Sequence, residues 1–98
     1  MNHWLHPGAV EDLEEGALYL ASHVSSRVAD EFLAEFERVI EILISNPMLG
    51  TRLGRDFREY QFTGFSYSLF YTTGDERGPH IYAVAHQSRD PGYWAWRS

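Results

Sequence analysis

Ile81-Tyr82-Ala83-Val84-Ala85-His86-Gln87-Ser88-Arg89-Asp90-Pro91-Gly92-Tyr93-Trp94 joins an apolar strand to a short polar segment in which His, Arg, Tyr and Trp stand together. The first half, with its β-branched and aromatic members, predicts a central strand of a sheet. The polar half begins where that strand ends. Asp90-Pro91-Gly92 is a turn signal, because Pro fixes φ near about −65° and Gly accepts positive φ. Functional side chains are often carried at the end of a rigid strand. The stretch is therefore both the organising strand and the first candidate site.

Upstream, strand patterns run from Phe57 to Phe62 and from Ser66 to Thr73, with a turn at Thr63-Gly64 between them. A loop from Gly74 to Pro79 leads into the last strand, His80 to Gln87. Such short connections predict an antiparallel meander. Met48 to Asp56 is too irregular for an element and reads as a loop with two glycines and two arginines.

Before it, Ala29, Phe32, Phe36, Val39, Ile40 and Leu43 recur at helical spacing, and Val28, Leu33 and Ile44 widen that face. This helix is placed against the sheet; it ends at Asn46 ahead of Pro47, and Ser25-Ser26 supplies its cap. An earlier helix starts at Pro7 and aligns Val10, Leu13, Ala17, Leu20 and Val24. Glu11, Asp12, Glu14 and Glu15 fall mostly off that face and read as a solvated acidic surface in the first turns, matched to the helix dipole. Asn2 to Leu5 forms a short first strand, stopped by His6-Pro7-Gly8. The order β-α-α-β-β-β predicts one α+β domain over residues 1–98, an αα-hairpin packed on one face of a small antiparallel sheet whose other face is free.

A chain of 98 residues with 44% apolar content can build a single core. It has no Cys, so neither disulfides nor thiolate metal sites contribute. No apolar run approaches the roughly 18 residues of a membrane span, and no basic region precedes an apolar one at the N-terminus, so the expected location is the cytosol. The net charge of −6 is uneven: residues 1–48 set two Arg against nine acids, whereas residues 49–98 set six Arg against five acids. Broad phosphate binding needs a basic excess, so direct sequence-specific nucleic-acid binding by this chain alone is not expected.

His86, Arg89 and Tyr93 are the residue types of a base, a transition-state clamp and an acid in RNA cleavage. The plainer alternative is that Arg89 pairs with an acid, Tyr93 packs and His86 is an ordinary strand residue. His3, His6, His80 and His86 lack the spacing of metal ligands, and no Gly-rich phosphate loop occurs, so no metal or cofactor is expected. Arg52, Arg55 and Arg58, with Arg89 and Arg97, are the better lead. If the strands that carry them lie close together, their guanidinium groups share a groove suited to an acidic peptide, a phosphate backbone or a protein target. A role in merely solubilising a loop and an edge strand stands beside that reading.

Read in order, His6-Pro7-Gly8-Ala9 with Asp12-Leu13, Ala29 to Phe32, Asn46 to Gly50, Gly64 to Tyr71 and Val84 to Pro91 resemble the ParE/RelE superfamily of toxins from type II toxin–antitoxin, or plasmid stabilisation, modules. The resemblance implies a cognate antitoxin partner and an essential cytosolic target; a homodimer is compatible with it. The ribonuclease branch, similar to RelE, commonly has an Arg where this chain has Ser68, and aligns another with Gln87. The ParE branch, which poisons DNA gyrase by binding, is the better match. On that reading Arg52, Arg55, Arg58, Arg89, Tyr93, Trp94 and Trp96 meet the target or the antitoxin. The alternatives are a RelE-like endoribonuclease of ribosome-bound mRNA using His86, Arg89 and Tyr93, and a toxin-derived binding module without activity.

Overall fold

The computed structural model describes residues 3–90 and 92–97. Strand β1 (Trp4–Leu5) leads into helix α1 (Pro7–His23), which packs beside α2 (Ser26–Ser45). Strands β2 (Thr51–Leu53), β3 (Phe57–Gln61), β4 (Tyr67–Asp75) and β5 (Gly78–His86) follow, and a short helix α3 (Gly92–Ala95) closes the chain. Pro91 of the expected turn lies outside the described residues, as does Asn2 of the expected first strand.

The sheet order is β1-β5-β4-β3-β2. The expected helical pair on a β-meander is present, with two differences. The sheet is mixed, because β1 pairs parallel with β5 through Trp4↔His80 and Leu5↔Ile81. Thr51–Leu53 is a fifth strand rather than loop, antiparallel to β3. It is held from a distance: the Tyr71 hydroxyl, on a fully buried side chain, accepts from the Gly50 N–H at 2.8 Å and donates to the Pro47 carbonyl at 2.7 Å. A Cβ on Gly50 would come within 2.6 Å of that hydroxyl, so only Gly lets the chain approach so closely. The expected Gly74 to Pro79 loop shrinks to a two-residue turn between the paired Asp75 and Gly78.

Both helices are punctuated as their sequence requires. The His6 Nδ1 accepts from the Gly8 N–H at 2.9 Å ahead of Pro7, and the Ser25 hydroxyl accepts from the Val28 N–H at 3.1 Å. The expected face of α2 is buried, all six residues from Ala29 to Leu43. That of α1 is rotated: Ala9, Asp12, Leu13 and Gly16 are buried, whereas Val10 and Val24 are exposed. No acid occupies its first turn, so the dipole reading of Glu11 to Glu15 does not apply, the effect fading beyond that turn.

The main core joins these helices to Leu69, Tyr71, Ile81 and Val84 on the inner sheet face. The outer face is not free. Phe70, Ala83, Ala85 and Trp94 make a second small core, flanked by Leu53, Phe57 and Tyr93. Phe70 and Trp94 stack at 4.5 Å, so α3 is the lid on that face.

Candidate functional site

Where β5 ends, the chain folds back sharply. Arg89 donates its N–H to the His86 carbonyl at 3.0 Å, and Gln87 donates to Ser66 at 2.9 Å. Residues His86 to Asp90 are therefore exposed but anchored at both sides. The His86 Nδ1 accepts from the Ser88 N–H at 3.1 Å and lies 2.7 Å from the Ser88 hydroxyl. A backbone N–H can only donate, so Nδ1 is an acceptor and the neutral ring carries its proton on Nε2. The nitrogen that would act as a base is already engaged within its own turn.

Arg89 and Tyr93 do come together, though not as clamp and acid. The Arg89 guanidinium lies over the Tyr93 ring, 3.8 Å from its centroid, and Arg97 lies on the ring at 5.1 Å. The Tyr93 hydroxyl points inward to the Asp12 carboxylate at 3.3 Å. Burial, with the Asp12 charge, pushes its pKa up to about 12. A phenol so disposed holds its proton toward Asp12. Ser68, where the ribonuclease branch commonly has an Arg, is buried near the start of β4 opposite Ala85.

The Arg group comes together in part: Arg52, Arg55 and Arg58 line one hollow at the β2–β3 hairpin with Met48 and Asp56, whereas Arg89 and Arg97 lie elsewhere. Arg89, beyond the end of β5, lines a different hollow on the outer sheet face with Glu59, His86 and Trp94. Arg52 and Arg55 are exposed on the β2–β3 hairpin, with Arg52 bonded to the Arg55 carbonyl at 3.3 Å. Arg58 is half-buried and donates to the Gly50 carbonyl at 2.8 Å and the Met48 carbonyl at 3.1 Å, fixing the segment ahead of β2. Arg97 is buried against Asp12 at 2.9 Å. Trp94, at 5% exposure, packs inside, whereas Trp96 is 74% exposed. Of the expected contact residues at this end, Arg89 and Trp96 are exposed and Tyr93 is half-buried.

The hairpin carries a feature that sequence spacing only outlined. An apolar groove of about 570 Å³ runs between α1 and α2, lined by Val10, Ala17, Leu18 and Leu33 and rimmed by Glu14 and Asp30. Leu18 is 67% and Leu33 40% exposed, so a sizeable apolar surface on the acidic half of the chain faces water. Sequence reasoning also missed two buried acids, Asp12 and Glu35. Each lies three residues beyond a buried apolar position, Ala9 and Phe32, and that spacing was the available signal. Glu35 is held by Arg38 at 2.6 Å and by the Thr63 N–H at 2.7 Å, and the Arg38 bond lowers its pKa. Among the described residues no cluster of three or more His, Asp or Glu could hold a metal ion, and no helix is long and apolar enough to cross a membrane.

Comparison with known proteins adds to this geometry. Residues 5–91 match the family model of the ParE toxin of type II toxin–antitoxin systems, parDE. Among solved structures, one from the chromosomal ParDE toxin–antitoxin system of P. aeruginosa superposes with a TM-score of 0.74 at 12% identity, covering 88% of this chain and 95% of that one. At that identity the likeness is one of fold. No curated protein sequence matches.

Proposed function

Because this chain belongs to the ParE toxin family of type II toxin–antitoxin systems, we propose that it arrests bacterial growth in the cytosol by binding DNA gyrase, and that a cognate antitoxin neutralises it. The observation that carries this choice of mechanism is the inward-facing Tyr93 hydroxyl, 3.3 Å from Asp12. With the His86 Nδ1 engaged by Ser88, Arg89 stacked on the Tyr93 ring and a serine at position 68, the expected trio of His86, Arg89 and Tyr93 is not arranged as base, clamp and acid. What remains at the end of β5 is a rigid edge with a stacked Arg and an exposed Trp, both residue types favoured at the centre of protein interfaces.

The groove between α1 and α2 is the seat we assign to the antitoxin. Its lining is apolar and its rim bears Glu14 and Asp30, so an amphipathic helix with basic flanks complements it. Strand β2, with Arg52 exposed on it and Arg55 just beyond, offers a second contact for an acidic extended segment.

Two assays on the purified chain test the reading: supercoiling by DNA gyrase, and the integrity of mRNA on translating ribosomes. Inhibited supercoiling with intact mRNA is the expected result. Cleaved mRNA with unaffected gyrase replaces it with the ribonuclease reading, and no effect in either assay, with no growth arrest on expression, leaves a binding module.

A further inference from the structure

Strand β1 is only two residues long, so it covers β5 no further than Ile81. Past that point two side chains satisfy the open edge of β5. The Asp12 carboxylate accepts the Val84 N–H at 3.1 Å, and the Arg97 guanidinium donates to the Tyr82 carbonyl at 3.0 Å. The register of β5 against β4 skips Tyr82 here, so both bonds are made at a bulge. The same Asp12 oxygen also receives the Tyr93 hydroxyl at 3.3 Å and Arg97 at 2.9 Å. One buried carboxylate thus ties α1, β5 and the C-terminal segment together. Gly8 completes the seat, since a Cβ there would collide with the Arg97 guanidinium.

We propose that Asp12 is a positioning residue for target binding: it latches the segment from Gly92 to Arg97 across the end of β5, and so fixes the Arg89–Tyr93 stack and the exposed Trp96 as one docking edge. The chain of contacts is direct. Asp12 orients the Tyr93 hydroxyl, and the Tyr93 ring carries Arg89 on one side. Three residues past Tyr93, Trp96 is followed by Arg97, whose ion pair with Asp12 is sealed on both sides, the side chains being 9% and 5% exposed. Without the carboxylate, the guanidinium of Arg97 would be left buried and unpaired, and the segment would leave rather than tolerate it. The proposal rests on the gyrase reading for the identity of the target only.

The test compares the wild type with Asp12→Asn, following backbone and indole hydrogen exchange by NMR alongside the gyrase titration. Asparagine keeps the shape and one acceptor but removes the charge that Arg97 requires. The Val84 amide and the Trp94 indole N–H should exchange at least tenfold faster while Leu69 and Ile81 are unchanged, and gyrase affinity should fall at least tenfold. A residue important only for folding would speed all four together, which overturns the proposal. So does a variant whose Val84 and Trp94 signals exchange as in the wild type, or one with the segment released and gyrase affinity intact. Arg97→Ala leaves the carboxylate and its Val84 bond in place; it should free Trp94 in the same selective way and serves if Asp12→Asn does not fold. A wild-type chain without effect on gyrase removes the target reading alone, and the exchange pattern then decides the latch by itself.

Discussion

Asp12 and Arg97 meet at 2.9 Å although 85 residues separate them in the chain, and both side chains are buried. Removing one member of such a pair costs more than the pair contributes, because the other is left charged and desolvated. Asp12→Ala should therefore destabilise the fold by about 3–5 kcal/mol in urea unfolding. Replacing the pair together, as Asp12→Leu with Arg97→Met, should recover more than half of that loss. Equal losses for the single and double variants would show that the pair is not coupled.

Tryptophans 94 and 96 should behave in opposite ways. Trp94 stacks on Phe70 and closes the outer core, so Trp94→Ala is expected to cost about 3–5 kcal/mol in unfolding free energy. Trp96 is exposed, and Trp96→Ala should leave stability within about 0.5 kcal/mol while weakening the target complex. Thermal melts of the two variants decide between these places.

The pattern along α2 was legible because its burial obeys a local rule, one apolar face at helical spacing beginning after a serine cap. Asp12 was not, because its partners Val84, Tyr93 and Arg97 come from 72 to 85 residues away. Strand β2 escaped for the same reason: three residues carry little pattern, and the hydroxyl of Tyr71 that helps to hold them belongs to β4. Trp94 and Trp96 stand two apart in sequence, so spacing alone could not tell that one lids the sheet and the other faces solvent. His86, Arg89 and Tyr93 were found as a group, yet their chemistry turns on where the phenol points.

The Tyr71 hydroxyl offers a direct test of how β2 is held. Tyr71→Phe leaves the Gly50 N–H without its acceptor and should cost about 1–3 kcal/mol. Gly50→Ala should cost about 1–3 kcal/mol by forcing that same ring aside. Hydrogen exchange confined to residues 50–53 would show which part of the sheet loosens first.

Glu35 makes the stability of the hairpin depend on acid. Its bond to Arg38 lowers its pKa from 4.5, so the folded state binds this proton less readily than the unfolded one. The stability it contributes is present above pH 4.5 and is lost as pH falls through the lowered value. In Glu35→Gln the unfolding free energy should be lower by about 1.5–3 kcal/mol at neutral pH and fall less steeply in acid. Parallel pH profiles for the two proteins would contradict this assignment.

Arg89, Tyr93 and Trp96 form the edge through which we propose that the chain acts. The most direct test of this proposal is a titration of DNA gyrase supercoiling with the wild-type chain and with Arg89→Ala and Trp96→Ala, each first shown to be folded. Inhibition by the wild type and at least tenfold weaker inhibition by each variant are expected. Inhibition of equal strength by all three, or gyrase untouched by the wild type while ribosome-bound mRNA is cut, would contradict it.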